Sequence, residues 1–388
     1  MPKMVYNIMA PMRIGLDARY TTDHFPGIGR YTLSLAEALA ELEHEHTLVL
    51  IVDPRAQKGR YDPAALRALP RVELAEARVA PFSAAQHLAL PALARRLRLD
   101  VLHSPYYIKP YLGLPCPSVV TIYDLIGWRF PRTLSRRGRL LYRLSMALAA
   151  RTATRLITIS ESARADIAHV YRLSPERIAV TPLAASRRFR PQAPEAIAAV
   201  RQRYHLPERY ILYVGSNKPH KNLERLARAW RKVLEEAPEA SAGVALVIAG
   251  HEDPRYDDAR RFVAEHQLEA RVRFAPNVAE ADLPALYSGA TVFAFPSYYE
   301  GFGLPPLEAM ACGAPVLCAY ASSLPEVVGD AALTVDPFNV HELAEGLARL
   351  LSNPGLRRTL SARGRGRASL FSWRRTALET LRVYESLT

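Results

Sequence analysis

The run Ser297-Tyr-Tyr-Glu-Gly-Phe-Gly-Leu-Pro-Pro-Leu-Glu-Ala-Met-Ala-Cys-Gly-Ala-Pro sets two carboxylates, Glu300 and Glu308, on either side of a glycine turn. Gly301 and Gly303 let the backbone turn tightly with its amides exposed, and Pro305 or Pro306 suits the first position of a helix that ends before Gly313. Helix N-termini attract anions, so a diphosphate would lie over these amides without help from a metal ion. Glu300 then sits in the loop on the phosphate side, and Glu308 lies about one helical turn inside, where it can accept two hydrogen bonds from a ribose diol. No Asp-x-Asp pair follows a strand; Asp257-Asp258 falls in a polar loop and reads as solvated. Neither a metal ion nor a cofactor is expected.

The elements that must position these groups alternate between strand and helix twice over. In the first half, strands are expected at Arg13-Ile-Gly-Leu-Asp-Ala, Leu48–Val52, Asp100–His103, Ser118–Ile122 and Leu156–Ile159, with a helix from Ile28 to Leu42. The second half repeats the pattern with Tyr210–Gly215, Ala245–Gly250, Val272–Phe274, Val292–Phe295 and Pro315–Cys318, and a helix from Asn222 to Leu234. Short continuous apolar runs are strands buried on both faces, which implies parallel sheets covered by helices. The fold class is therefore α/β, two Rossmann-like doubly wound domains facing a cleft. Prolines interrupt the pattern between Thr181 and Leu206, and the boundary is placed there, giving 1–185, 186–370 and a last segment 371–388. Residues 1–12 read as a flexible leader. Sheets of this kind take ligands at the carboxyl ends of their strands, so substrate is expected in the cleft.

Length and composition agree with two globular domains: 388 residues, 49% hydrophobic and 23% charged. No stretch is apolar enough to span a bilayer, and the cytoplasm is the expected location, peripheral at the inner face of the membrane. Cys116, Cys312 and Cys318 sit in or beside apolar runs and read as buried, reduced packing residues. The charge is unevenly placed: residues 1–190 hold 28 Lys and Arg against 15 Asp and Glu, whereas the remainder holds 23 of each. From Arg129 to Arg155 there is no acid, and Arg132, Arg136, Arg137, Arg139, Arg143 and Arg151 are interleaved with Leu134, Leu140, Leu141, Leu144, Met146 and Leu148. A solvated basic face, an anionic membrane surface and a polyanionic partner all fit this composition, and packing of the leucines into their own domain is the competing account of them. Nucleic acid is not expected, since the stretch has one Tyr and no recognisable binding module.

The segment from Glu300 to Glu308 resembles the signature of the retaining GT-B glycosyltransferases of family 4, the group 1 transferases. Other matches span nearly the whole chain: Gly15-Leu-Asp-Ala-Arg, Gly27-Ile-Gly29-Arg-Tyr, Asp100-Val-Leu-His-Ser-Pro, Ile159-Ser-Glu-Ser-Ala, Val214-Gly-Ser216-Asn-Lys218-Pro-His-Lys221-Asn-Leu and Phe371-Ser-Trp. The branch it most resembles is the mannosyltransferase-like one that builds surface polysaccharides. The resemblance implies a nucleotide diphosphate sugar as donor, GDP-mannose favoured, a glycan or lipid-linked glycan as acceptor, retention of configuration, and a last helix that returns to the first domain. Lys221 would neutralise the donor diphosphate, with Lys218 and His220 in reserve and Ser216 in the same motif. Arginine often precedes that lysine in the family; here the residue is His220. Glu308 would hold the ribose, with Glu300 and the amides of Gly301, Phe302, Gly303 and Leu304 near the sugar and phosphate. Backbone near Gly250, Asn277 and Val278 would meet the base. On the acceptor side, Gly27 and Gly29 open the first helix, and Thr121-Ile-Tyr123-Asp124 stands where many relatives carry Thr-x-His-Asp. Tyr123 replaces a histidine that touches the donor sugar; a phenol can donate a hydrogen bond there but cannot take a proton near neutral pH. His103 is the substitute base under this reading, against a purely structural role.

Two other enzyme classes share the shape. A dinucleotide-dependent oxidoreductase would need a third glycine after Gly27-Ile-Gly29 and an acid for the ribose, and has neither. A sugar-nucleotide epimerase would act on the donor alone, and a basic nucleic-acid-binding protein would need no donor.

Overall fold

The computed structural model describes residues 10–22, 26–55 and 62–387. Most of the leader expected over residues 1–12 lies outside them, but Met12 is already core, and its N–H donates to His46 Nδ1 at 3.0 Å. The chain divides into two compact units, residues 1–183 with 373–388, and residues 184–372.

The first unit is built on seven parallel strands: β1 (Arg13–Asp17), β2 (Thr47–Val52), β3 (Val72–Glu76), β4 (Val101–Ser104), β5 (Ser118–Thr121), β6 (Arg155–Thr158) and β7 (Ile178–Val180), in the order 3-2-1-4-5-6-7. The second carries six: β8 (Arg209–Val214), β9 (Val244–Gly250), β10 (Val272–Pro276), β11 (Val292–Phe295), β12 (Val316–Ala319) and β13 (Leu333–Val335), in the order 10-9-8-11-12-13. Every pairing is parallel. Strands β4, β5, β11 and β12 are buried at every residue, as continuous apolar runs under helices on both faces require. Three strands were not expected from sequence: β3, β7 and β13, each at an edge of its sheet. An edge strand packs fewer of its side chains, and the mixed run Val-Glu-Leu-Ala-Glu of β3 has a pattern of half-buried and exposed residues with only Ala75 buried.

In each sheet the order reverses once, between β1 and β4 and between β8 and β11. Loops leaving such neighbours diverge to opposite faces and open a crevice at the carboxyl edge. In the second unit these loops are 215–222 and 296–303; Lys221 and Glu300 lie on them, and Glu308 lies in the helix that follows the second. The helix Leu223–Glu236 holds the first loop in place through a buried stripe of Leu223, Leu226, Ala227, Trp230 and Val233 at helical spacing.

The C-terminal helix, Trp373–Glu385, packs in the first unit, as the resemblance implied. Ala377, Leu381 and Tyr384 join the core made by Tyr31, Leu35, Leu39 and the strands, and Thr376 Oγ1 donates to the Pro182 carbonyl at 2.5 Å.

Candidate active site

Strand β8 ends at Val214, and the backbone approaches that of β9 closely at the next residue. Gly250 has φ +120°, and a Cβ there would sit on the carbonyl of Gly215, so this crossing admits only glycine. Ser216 follows with its carbonyl accepting from the Tyr213 hydroxyl at 2.8 Å. Asn217 then ties the loop to the one after β9: its Nδ2 donates to the carbonyls of Asp253 and Tyr256 at 2.9 and 2.6 Å, and its Oδ1 accepts from Asp253 N–H at 2.8 Å. The turn Pro219–Lys221 comes next, with Lys218 exposed ahead of it. Asn222, at φ +64°, closes the loop by donating to the carbonyls of Pro296 and Pro337 at 3.1 and 2.7 Å, which fixes the start of the following helix against the end of β11.

Lys221 is thereby aimed at the second loop. Its Nζ donates to Glu300 Oε1 at 2.6 Å and lies 5.5 Å from the ring centre of Phe295, with both partners of the ion pair largely shielded from solvent. His220 is buried, and its pKa is pushed down to about 3, first by burial and then by the neighbouring Lys221 and Lys218. It stands neutral beside a cation, so the positive charge of this loop is carried by the lysines and not by a third group.

The glycine loop is built from β11 onward. The Ser297 hydroxyl is fully buried and has no hydrogen-bond partner among the described residues. Glu300 is held by its backbone: its carbonyl accepts from Ser322 Oγ at 2.6 Å and its N–H donates back to the same oxygen at 3.2 Å, while Ser323 Oγ donates to the Phe302 carbonyl at 2.7 Å. Gly301 and Phe302 are buried, and Gly303 turns at φ +115° into the helix Leu304–Ala311, with prolines in its first turn. A Cβ on Gly303 would come within 2.7 Å of Leu324 Cδ2. Glu308 lies one turn inside that helix, 4% exposed, and accepts from the Tyr287 hydroxyl at 3.2 Å. The loop therefore presents a helix N-terminus to the crevice, with one carboxylate before it and one behind.

Beside the lysine loop, at the carboxyl ends of β8, β9 and β10, lies a depression lined by Gly215, Asn217, Gly250, Glu252, Tyr256 and Phe274. Arg260 covers the Phe274 ring at 4.1 Å and pairs with Glu252, whose carboxyl it holds below the ordinary range. Of the residues expected at the base, Gly250 lines this depression; Asn277, at φ +62°, and the half-buried Val278 follow directly on β10. The residues that sequence reasoning did not assign are Ser297, Asn217, Asn222, Ser322 and Ser323.

The residues expected in the first unit are placed differently. Gly27 and Gly29 lie in the first turn of the helix Pro26–Ala40, Gly27 exposed and Gly29 buried. Asp124 caps its own loop, accepting from Ile126 N–H at 2.8 Å. The Tyr123 hydroxyl is buried without a hydrogen-bond partner among the described residues, its ring edge-on to Tyr31 at 5.3 Å, and burial raises its pKa well above the ordinary tyrosine value. His103 is fully buried, with Nδ1 2.6 Å from the Tyr384 hydroxyl and Nε2 2.8 Å from Thr121 Oγ1. Burial pushes its pKa down to about 3. Both ring nitrogens are occupied by neighbours on a strand and on the C-terminal helix, an arrangement that suits a structural tie.

Among the described residues, no three His, Cys, Asp or Glu side chains converge in a way that would hold a metal ion. Asp257 and Asp258 are exposed at the start of a helix and pair with Arg261. Cys312 and Cys318 are buried and Cys116 half-buried; burial pushes the Cys312 thiol up to about 12.

Comparison with known proteins agrees with this geometry. Residues 199–367 match the profile of the glycosyl transferases group 1, and residues 26–186 that of Glycosyltransferase Family 4. The O-antigen chain mannosyltransferase B of Escherichia coli is 30% identical over 93% of this chain and 96% of its own length. An MMP alpha-(1->4)-mannosyltransferase of Mycolicibacterium hassiacum is 29% identical over 96% of this chain and 98% of its own. Among solved structures, sucrose-phosphate synthase from Thermosynechococcus elongatus superposes with a TM-score of 0.74 at 23% identity, covering 97% of this chain and 99% of that one, which shows a common GT-B fold. A lysine loop and a glycine loop meeting at a switch point, on a chain alike from end to end, make this protein a member of the group 1 glycosyltransferases of the family 4 type.

Proposed function

We propose that the protein transfers a hexose, mannose before others, from a nucleotide diphosphate sugar to a glycan or lipid-linked glycan, with retention of anomeric configuration and without a metal ion. The observation that carries this reading is the Lys221–Glu300 ion pair, 2.6 Å long, beside the N-terminus of the helix that bears Glu308. A donor diphosphate lying over the amides of Gly301, Phe302, Gly303 and Leu304 draws the Lys221 ammonium from Glu300 to itself. Glu308 accepts from the ribose hydroxyls, and the depression at Gly250 takes the base. Mannose is favoured because both relatives are named as mannosyltransferases, and GDP-mannose, with UDP sugars next, follows only from the family resemblance.

In the transfer, the bond from the anomeric carbon to the diphosphate oxygen breaks and its electron pair leaves with the diphosphate. The acceptor oxygen bonds to the same face of the anomeric carbon, and its proton passes to the departing diphosphate. Charge develops on the leaving oxygens, and donors already in place stabilise it without reorganising. Asp124 and the helix opening at Gly27 and Gly29 are assigned to the acceptor side, and Tyr123 to the donor sugar.

Incubation with GDP-mannose and with UDP-glucose in EDTA, reading diphosphate release and the anomeric proton of the product, tests this directly. Transfer from GDP-mannose that persists in EDTA and retains configuration is expected. Loss of activity restored by magnesium or manganese would overturn metal independence, inversion would overturn the same-face step, and conversion of the donor without acceptor would point to an epimerase.

A further inference from the structure

We propose that the exposed face of the helix Arg136–Thr152, together with Trp128, is a docking surface for an anionic phospholipid bilayer. The helix buries Met146, Ala149 and Ala150 against its own domain. Its leucines are not spent on that packing: Leu140, Leu141 and Leu144 are 69%, 62% and 54% exposed. The competing account, in which these leucines serve the core, fails on those values. Trp128 lies beside them, 41% exposed, with the Arg143 guanidinium 5.8 Å from its ring centre. Three exposed leucines within two turns of one helix, with an exposed tryptophan against Arg143 of the same helix, make a patch that soluble surfaces avoid unless something covers it.

Charge decides what covers it. Arg132, Arg136, Arg137 and Arg151 are exposed, and none of them meets a carboxylate among the described residues, whereas Arg129 at the edge of the segment is paired with Asp166 at 2.6 Å. The patch is therefore apolar knobs in a positive field. A second copy in a twofold contact would set these arginines against themselves. An anionic bilayer satisfies both components, since arginines stay with the lipid phosphates while leucines and an interfacial tryptophan enter the headgroup boundary. Among the described residues no helix is long and apolar enough to cross a membrane, so the contact is peripheral for this part of the chain. The proposal deepens the reading of the acceptor as lipid-linked and rests on it for its purpose.

The test is sedimentation of the full chain with phosphatidylcholine vesicles and with phosphatidylcholine–phosphatidylglycerol vesicles at low and high salt. Wild type is expected to pellet with the anionic vesicles at low salt and to remain in solution with the neutral ones. Replacing three arginines (Arg132→Gln, Arg136→Gln, Arg137→Gln) removes roughly fivefold in affinity per residue, on the order of 100-fold together. Replacing the leucines (Leu140→Ser, Leu141→Ser, Leu144→Ser) weakens binding at every salt concentration. Brominated acyl chains quench wild-type tryptophan fluorescence, and Trp128→Phe removes that quenching. Calorimetric binding of GDP is unchanged in all variants, which separates failure of the surface from failure of the transferase reading. Equal binding to neutral and anionic vesicles, absence of quenching, or a leucine variant that binds like wild type would overturn the proposal. So would a leucine variant whose only change is the loss of a dimer, which would make the face a self-association interface.

Discussion

In the proposed reading, Lys221 is the cation on which the donor site turns. It is held at 2.6 Å from Glu300 and screened from water, so the positive charge is already aimed where a diphosphate oxygen would arrive. Lys221→Ala should lower turnover by about 10²–10³-fold, the loss seen when one preorganised donor to a developing oxyanion is removed, while the melting temperature changes little. Steady-state rates and a thermal melt of the variant check this; wild-type turnover would move the role to the exposed Lys218. Glu308→Gln keeps the side-chain volume and a hydrogen-bonding group for Tyr287 but removes the charge, and should weaken nucleotide binding by about 1.5–3 kcal/mol, the range for a charge-assisted contact. Lys221, Glu300 and Glu308 were recognisable in the sequence as candidates because their types and spacing against glycines are unusual. The residues that hold them were not. Asn222 and Ser322 act through positive φ, and nothing in a single Asn or Ser announces that conformation. The neutrality of His103 and His220 is likewise a property of their burial, which a residue letter does not carry.

Among the elements, the helix Leu304–Ala311 depends on the turn at Gly303. Gly303→Ala combines φ +115° with a Cβ 2.7 Å from Leu324 Cδ2, so the turn must shift or the leucine must. Two penalties meet at one site, and the expected result is a protein destabilised by about 1–3 kcal/mol with donor binding reduced beyond that, because the amides over the phosphate site move with the turn. Urea denaturation and GDP titration of the variant read the two effects separately; wild-type values in both would mean the loop is not the anion site. The central strands were readable as apolar runs and the switch-point helices as amphipathic stripes. The edges were not: β3, β7 and β13 are short or half-exposed, and their pairing is decided by the neighbouring strand, not by their own pattern. The apolar positions of the helix Arg136–Thr152 left two accounts open in the sequence, and the structure divides them, with Met146 buried and Leu140, Leu141 and Leu144 exposed.

Across the whole chain, two doubly wound units each bury a histidine that must stay neutral. His103 in the first and His220 in the second are both held to about 3, against about 6.5 in the unfolded chain. Below about pH 6.5 the unfolded state takes up protons that the folded state refuses, so stability falls as pH drops through that window, by roughly 1.4 kcal/mol per pH unit for each histidine. Above it they contribute no pH dependence. Urea midpoints should therefore be lower at about pH 5 than at about pH 7.5, with a shallower dependence in His103→Gln; midpoints equal at both values would show that the histidines charge within the fold. The two-domain architecture was legible from the repeated strand and helix pattern, and the charge imbalance from counting alone. What the imbalance is for became arguable only when the exposed leucines were seen among unpaired arginines.

The most direct measurement is calorimetric titration of GDP and UDP, in EDTA, into wild type, Lys221→Ala and Glu308→Gln. Metal-free binding of at least one diphosphate by the wild type, weakened in both variants while each remains folded, is the expected result. No binding by the wild type without metal, or equal affinity in all three proteins, would contradict the placement of the donor at the meeting of the lysine and glycine loops.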